Sequence, residues 1–183
     1  MIKNKNIIDA IGYILGIKKG LFFSKLKIIK LLFIADKTHL EEYGRTITGD
    51  IFKALKMGPI GSKTLDFLNL KFEDEKQEKY FNSIIGKEGS YNFYFKGKNI
   101  KNLNSLSESD REIINKTVSV FGNFTENKLI DFLHTFPEWK KHEYDLKQGK
   151  RKSCPIPVED LIGTPVFESI TEERIKLCKE IFS

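Results

Sequence analysis

The sequence predicts an α+β fold that is predominantly α-helical: a single compact helical domain with a small antiparallel β-hairpin or sheet. Five or six segments place their apolar residues at the spacing of a helix. Segments rich in aromatic and β-branched residues are few, short and close together in the chain, as in local antiparallel pairing. No repeated strand–helix–strand pattern occurs. Because 183 residues suffice for one substantial core, we expect one domain over residues 1–183.

The first two helices are predicted from their apolar spacing and their ends. Residues 6–18 place isoleucines and leucines on one helical face. Ser24 is a favourable N-cap for a second helix with a wide apolar face. We expect this helix to continue to about Tyr43 and to end at Gly44, a residue that readily adopts the left-handed conformation of a helix C-terminus.

Short extended segments follow Gly44. Residues 48–55 alternate apolar and polar side chains, which predicts a short strand or an extended loop. Residues 57–59 (Met-Gly-Pro) indicate a turn before a short helix over about 62–70. Residues 80–85 and 91–96 predict two strands of a hairpin joined by a five-residue connection.

Three further helices are predicted from N-cap residues. Each begins after a hydroxyl side chain: Ser107, Thr125 and Thr171. Pro137 is expected to break the chain after Phe136, because proline removes a helical hydrogen bond. Residues 140–152 form a basic segment that we expect to be a mobile loop. We expect the C-terminal loop and helix, residues 146–183, to pack on the rest of the domain.

Charge is distributed unevenly along the chain. The net charge is +6, and residues 1–63 carry twelve Lys/Arg against five Asp/Glu, a balance of +7. Such a field attracts nucleic acid or an acidic protein surface. The alternative is an ordinary lysine-rich, solvated face.

Composition also bears on compartment and on metal binding. No apolar run approaches the roughly 20 residues that span a bilayer, and the first residues do not resemble a signal peptide. Cys154 and Cys178 form no CxxC pattern, so neither a zinc site nor a disulfide framework is indicated. We therefore expect a cytoplasmic protein with no membrane contact, no metal and no cofactor.

Candidate catalytic groups are sparse. Asp36 and His39 lie three residues apart on the second helix, so their side chains share a face. The pair could act in proton transfer or metal binding, or it could have a purely structural role. The pattern favours the structural role, because a metal site needs further ligands. The sequence contains no nucleophile elbow and no glycine-rich phosphate loop. We expect no enzymatic activity and no catalytic residues.

Nucleic-acid binding has two candidate features, both with a simpler interpretation. The segment after Gly44 lacks the period of a recognition helix. The aromatic side chains of residues 80–81 and 91–95 suit base stacking, but in a hairpin such side chains more often form core and cross-strand contacts.

Several segments together resemble the signature of the Panacea domain. They are residues 30–40 (KLLFIADKTHL), 43–50 (YGRTITGD), Ala54 with Gly58-Pro59, 106–110 (LSESD), and His134 with Pro137-Glu138-Trp139. The resemblance covers about residues 5–145. Thr46, Phe33 and Gly61 stand where the family usually has proline, tyrosine and proline.

This resemblance, to SocA-like antitoxins and phage-associated GepA-like proteins, implies function and site residues. It implies an antitoxin that neutralises a cognate toxin by direct protein–protein binding, the toxin usually being encoded by an adjacent gene. The alternatives are an adaptor that delivers its partner to a protease and a nucleic-acid-binding regulator. The family-signature residues, structural or partner-binding, are Asp36, His39, Tyr43, Gly44, Arg45, Thr48, Gly49, Asp50, Gly58, Pro59, His134 and Trp139.

Physical roles can be assigned to a few of these residues. Asp36 and Arg45 flank the end of the second helix, where an ion pair or an arginine bond to free carbonyls would hold the Gly44 turn. Trp139, the sole tryptophan, either packs into the core or anchors an interface, and the core is favoured. The signature as a whole either builds the scaffold or binds the partner.

Overall fold

The computed structural model describes residues 2–17, 20, 22–163 and 165–167. Eight α-helices lie in this part of the chain. They are α1 (Lys5–Gly16), α2 (Lys25–Tyr43), α3 (Ser62–Leu68), α4 (Glu75–Ile84), α5 (Glu108–Phe121), α6 (Glu126–Leu133), α7 (Pro137–Lys140) and α8 (Glu143–Lys147). The strands are β1 (Phe22–Ser24), β2 (Phe52–Leu55), β3 (Gly58–Gly61), β4 (Ile85–Glu88), β5 (Asn92–Phe95) and β6 (Ser153–Pro155). Short 3₁₀ helices lie at Ile100–Asn102 and Val158–Leu161. The predicted mainly helical α+β class is confirmed.

The strands form two small antiparallel sheets, ordered β1-β5-β4 and β3-β2-β6. In the second sheet, β2 pairs with β3 through a tight turn and with β6 from much later in the chain. The sequence prediction had one hairpin, so the second sheet is an addition. None of the described helices is long and apolar enough to cross a membrane.

Helix α2 has the ends that its sequence predicts. The Ser24 hydroxyl accepts a hydrogen bond from the Lys27 N–H at 3.2 Å. At the other end Gly44 has a φ of 72°, and its N–H donates to the Leu40 carbonyl at 2.9 Å. A residue with a Cβ is strained at such a φ, which explains glycine at this position.

The middle of α2 is buried on every side. All residues from Ile28 to Leu40 are buried, because α1, α5, α6 and β3 pack around the helix. Five of these residues are polar or charged: Lys30, Asp36, Lys37, Thr38 and His39. Buried polar groups require hydrogen-bonding partners, so the neighbouring segments must supply them.

One predicted strand is wrong. Residues 80–84 belong to helix α4, which begins after Asp74, whose carboxylate accepts from the Gln77 N–H at 2.8 Å. Gln77, Phe81 and Ile84 face the interior at helical spacing. The aromatic and β-branched side chains of this segment have high strand propensity, which hid its helical spacing. Tertiary packing overrides that propensity and makes the segment helical. The hairpin consists of β4 and β5, with only residues 89–91 between them.

Two segments predicted as turn or loop contain regular structure. Residues 58–61 form β3, and Cys154 of β6 is buried opposite Ala54 of β2. Helix α8 lies within the basic segment that was expected to be a mobile loop. The predicted break after Phe136 occurs, and Pro137 then begins α7. Proline is tolerated in the first turn of a helix, because the N–H that it lacks would have no partner there.

The apolar side chains form a core cluster that extends from Ile7 to Val166. Members of all the longer helices contribute, including Leu129 and Leu133 of α6 and Phe121 of α5. The predicted last helix, capped by Thr171, and Cys178 lie outside the described residues.

Candidate functional site

The signature residues lie in three groups around α2. The Asp36 cluster comprises Asp36, Thr48, Gly49, Asp50 and Thr64. The His39 cluster comprises His39, Tyr43, Gly44, Arg45, Ser107, Ser109 and Asp110. The Trp139 cluster comprises Lys30, Gly58, Pro59, His134 and Trp139. Residues far apart in the sequence thus meet at one helix.

In the Asp36 cluster, one buried carboxylate holds the loop after α2. The Thr48 N–H donates to Asp36 Oδ1 at 2.8 Å, and the Thr48 hydroxyl donates to Asp36 Oδ2 at 2.6 Å. Gly49 follows with a φ of 61°, which suits glycine. The loop is therefore attached to the middle of α2 by both backbone and side chain.

The second carboxylate of this cluster, Asp50, caps helix α3 from a distance. Its Oδ1 accepts from the backbone N–H groups of Ile51 and Lys63, at 2.6 and 2.8 Å. Its Oδ2 accepts from the N–H and hydroxyl of Thr64, both at 2.8 Å. These bonds satisfy free N–H groups in the first turn of α3 and place negative charge at the positive end of its dipole.

Close packing at Asp50 also explains glycine at position 61. A Cβ on Gly61 would lie 2.3 Å from Asp50 Oδ2, so a side chain there would displace the carboxylate that caps α3. Glycine at this position therefore leaves room for the cap.

The two carboxylates differ in their surroundings, and Asp36 is perturbed. Burial raises the pKa of Asp36 from 3.8 to about 7, while the hydrogen bonds from Thr48 act in the opposite direction and the charge of Asp50 adds to the increase. Protonated Asp36 is thus favoured in the folded state relative to the unfolded chain.

This perturbed pKa predicts that the contribution of Asp36 to protein stability falls as pH rises. Between pH 4 and 7 the folded state binds more protons at Asp36 than the unfolded state does, so this contribution to the free energy of unfolding declines by up to about 1.4 kcal/mol per pH unit and is constant above about 7. Asp36→Asn mimics the protonated form and removes this titration. Urea unfolding of both proteins at pH 5, 6, 7 and 8 measures the difference. Parallel stability curves for the two would contradict the prediction.

The His39 cluster joins the end of α2 to the start of α5. His39 is fully buried, and its Nδ1 donates to the Arg45 carbonyl at 2.8 Å. Its Nε2 lies 3.1 Å from both Ser109 Oγ and Asp110 Oδ1. The Tyr43 ring covers the imidazole at a centroid distance of 4.7 Å.

Neither predicted contact of Arg45 occurs: it does not pair with the carboxylate of Asp36, and the carbonyl to which it donates, that of Thr46, is not part of α2. Arg45 donates instead to Asp110 Oδ1 at 2.8 Å and to the Ser107 hydroxyl at 3.0 Å. Asp110 also accepts from the Ser107 N–H and completes a capping box at the start of α5. Because Asp36 points into the fold toward Thr48, it is out of reach of the half-exposed arginine.

A serine, a histidine and an aspartate meet in this cluster, but not in the geometry of a nucleophilic triad. In a triad the carboxylate and the hydroxyl contact opposite nitrogens of the imidazole. Here Ser109 and Asp110 share Nε2, while Nδ1 is bonded to the Arg45 carbonyl. This arrangement fastens α2 to α5.

The Trp139 cluster connects α7 to the second sheet. Trp139 is fully buried, and its indole N–H donates to the Leu55 carbonyl of β2 at 2.8 Å. The His134 ring stacks on the indole at a centroid distance of 3.5 Å and an angle of 11°. Trp139 therefore lies in the core, as the sequence favoured, and its ring is not exposed to a partner.

Gly58 and Pro59 position a buried lysine in the same cluster. The Lys30 amine donates to the Pro59 carbonyl at 3.0 Å. Gly58 has a φ of 98°, and a Cβ there would lie 2.9 Å from Lys30 Nζ. Burial lowers the pKa of Lys30 to about 7. Burial, with the nearby Lys30 charge, also lowers the pKa of His134, whose Nε2 has no partner among the described residues.

Sequence reasoning missed one charged group beside these clusters. The Lys37 cluster comprises Lys37, Glu41 and Glu138, with each carboxylate 3.2 Å from Lys37 Nζ. Lys37 also donates to the Leu161 carbonyl and lies over the Phe136 ring. Glu138 comes from the Pro-Glu-Trp segment of the signature, so this segment supplies both the buried ring and the buried counter-ion.

The clusters serve mainly to attach loops and helices to α2. Among the described residues, no group of three or more His, Cys, Asp or Glu side chains is placed to hold a metal ion. Asp36, His39 and Asp50 of the signature are bonded to backbone groups of neighbouring segments. The His134 ring stacks on Trp139 instead. This geometry defines a mainly helical scaffold domain with an internally bonded polar signature.

Comparison with family models gives the family. Residues 28–140 match the model described as "Antitoxin SocA-like, Panacea domain", and the chain belongs to this family. The matched region begins in α2 and ends in α7, so it includes all three signature clusters. No curated protein and no solved structure matched the chain.

Proposed function

We propose that the protein is an antitoxin that neutralises a cognate toxin by binding it directly, without catalysing a reaction. Membership of the SocA-like antitoxin family carries the proposal. Neutralisation by binding requires a rigid surface that covers the toxin's active site or its access to substrate. A cytoplasmic location belongs to the proposal, since the free Cys154 thiol suits a reducing compartment.

The use of the signature side chains supports binding over catalysis. Asp36, Asp50 and Trp139 are buried and bonded to backbone groups of other segments. A catalytic group must reach a substrate, whereas these groups hold the scaffold together. The partner-binding surface would then lie among exposed side chains outside the signature, which can change without disturbing the scaffold.

The protease-adaptor alternative shares the first step of this proposal, because an adaptor also binds its partner. The two differ in the fate of the toxin. Occlusion leaves the toxin intact in a stable complex, whereas delivery to a protease lowers the amount of toxin in the cell.

Coexpression with the product of the adjacent gene tests the proposal. The gene product is induced in a bacterial host with the antitoxin or with an empty vector, and growth, toxin level and co-purification are measured. We expect restored growth and a complex that contains intact toxin. A toxin with an unrelated target is the control. Failure of the folded protein to restore growth or to form a complex would overturn the proposal. If the toxin level falls and the fall requires a host protease, the adaptor function replaces neutralisation by occlusion.

A nucleic-acid-binding regulator is the remaining alternative, suggested by the basic first third of the chain. Two lysines of that third, Lys30 and Lys37, are buried and bonded within the fold, but three of its five carboxylates, Asp9, Asp36 and Asp50, are buried as well, so burial leaves its charge balance positive. Binding to duplex DNA would fall steeply with salt through counterion release. Titration of DNA at low and moderate salt therefore distinguishes this alternative.

A further inference from the structure

An apolar pocket opens on the surface where α2, the β2–β3 turn and α3 meet. Its volume is about 170 Å³. Its apolar lining comprises Leu26, Ile29, Leu55, Met57, Ile60 and Leu65. Met57 lies at the tip of the β2–β3 turn and is 50% exposed. Of the residues quoted for the family signature, only Lys30 and Gly58 line this pocket.

The size of the pocket matches one side chain. A cavity of about 150 Å³ lined by aliphatic residues holds a molecule of benzene, so this space suits one leucine, isoleucine or phenylalanine side chain. Buried apolar anchors of this kind often dominate the binding energy of protein interfaces.

The border of the pocket is positively charged. Lys25 lines it, and its amine lies 2.8 Å from Asn69 Oδ1 and 5.9 Å from the centroid of the exposed Tyr91 ring. Lys53 of β2 is paired with Ile60 of β3, so its side chain lies on the same face of the sheet as the lining residues Ile60 and Leu55. Among the described residues that line the pocket, none is acidic.

We propose that this pocket is the anchor point of the toxin, and that it takes an apolar side chain from an acidic surface of the toxin. The inference rests on the proposed antitoxin function and adds the location and the chemistry of the partner. Charge complementarity favours this occupant: a second copy bound through the same face in a symmetric dimer would bring its own Lys25 and Lys53 against this border. The apolar lining offers nothing to a phosphate backbone.

Two substitutions at the pocket test the inference. Met57→Glu places a carboxylate at its mouth, and Lys25→Glu reverses the charge of its border. Each is expected to weaken the complex with the adjacent gene's product at least about tenfold, measured by calorimetry on the full-length proteins. Met57→Leu is expected to keep the affinity within about threefold.

The matched control is Ile162→Glu. Ile162 is 61% exposed and does not line the pocket, so this variant adds the same charge at a similarly exposed apolar side chain. It is expected to bind as the unaltered protein does. Thermal unfolding by circular dichroism checks that all variants are folded.

The outcomes separate this inference from the proposed function. If the unaltered protein binds the toxin and Met57→Glu binds equally well, the pocket is not the anchor and the inference fails alone. If the unaltered protein binds no product of the adjacent gene, both fail. If Met57→Glu instead converts a dimer of this chain to a monomer, a second copy is the occupant and the inference is overturned. If Lys25→Glu abolishes binding to duplex DNA while Met57→Glu does not, nucleic acid is the occupant and the inference is overturned as well.

Discussion

Replacing Trp139 with alanine is expected to lower the free energy of unfolding by about 3–5 kcal/mol, the range for removing a large ring from a core. The indole is fully buried, stacks on His134 and donates its N–H to the Leu55 carbonyl of β2. Removal creates a cavity and takes away the hydrogen bond from the indole to a strand carbonyl. Urea unfolding followed by circular dichroism measures the change, because the variant loses its only tryptophan fluorophore.

Trp139→Phe separates the two parts of this effect. Phenylalanine retains much of the apolar ring but has no N–H, so the hydrogen bond to the Leu55 carbonyl is lost and we expect a smaller loss of stability, about 1–3 kcal/mol. If Trp139→Ala changed stability by less than about 1 kcal/mol, the buried position of the indole would be contradicted. A folded Trp139→Phe variant that still binds the toxin would place the indole in the scaffold and outside the interface.

The buried polar residues of α2 explain why the signature is spread over the chain. A helix surrounded by other elements needs partners for its polar side chains, and each partner comes from a different segment: Thr48 for Asp36, Asp110 for His39, and Pro59 for Lys30. Each contact fixes one loop or helix relative to α2. A signature of this kind defines a scaffold on which exposed residues are free to differ.

Local sequence signals predicted the long helices well. The limits of α2 and the starts of α5 and α6 follow from Ser24, Gly44, Ser107 and Thr125, because a capping residue acts on N–H or C=O groups within a few positions. These elements need no knowledge of the rest of the chain.

Elements that depend on distant segments were missed or wrong. Strand β6 forms because its backbone pairs with the free edge of β2. Helix α4 forms because Gln77, Phe81 and Ile84 pack into the interior at helical spacing. The Asp36–Arg45 pair was inferred from proximity in the sequence, yet Arg45 bonds to Asp110, which lies 65 positions further along the chain. The same limit applies to the site: family resemblance indicated the residues, but only the fold reveals which of them meet.

Replacing Lys37 with methionine is expected to lower the free energy of unfolding by about 3–5 kcal/mol, because it leaves the carboxylate of Glu138 buried without its counter-ion. Both side chains are only 1% exposed, so water cannot solvate the remaining charge. The double variant Lys37→Met/Glu138→Met removes both charges and is expected to lose less stability than the sum of the two single variants, with a coupling energy of about 1–3 kcal/mol. Urea unfolding of the two single variants and the double variant gives this coupling.

Lys79→Met is the matched control. Lys79 pairs with Glu75 at 2.6 Å and with the same i,i+4 spacing as Lys37 and Glu41, but the side chains of Lys79 and Glu75 are both largely exposed. Its loss is expected to stay below about 0.5 kcal/mol, because exposed pairs are solvated and screened. Equal effects of Lys37→Met and Lys79→Met would show that the Lys37 cluster is open to water, which would contradict its buried position. A large effect at Lys37 alone would show that charge pairing at the centre of α2 holds α7, and with it Trp139, against the rest of the fold.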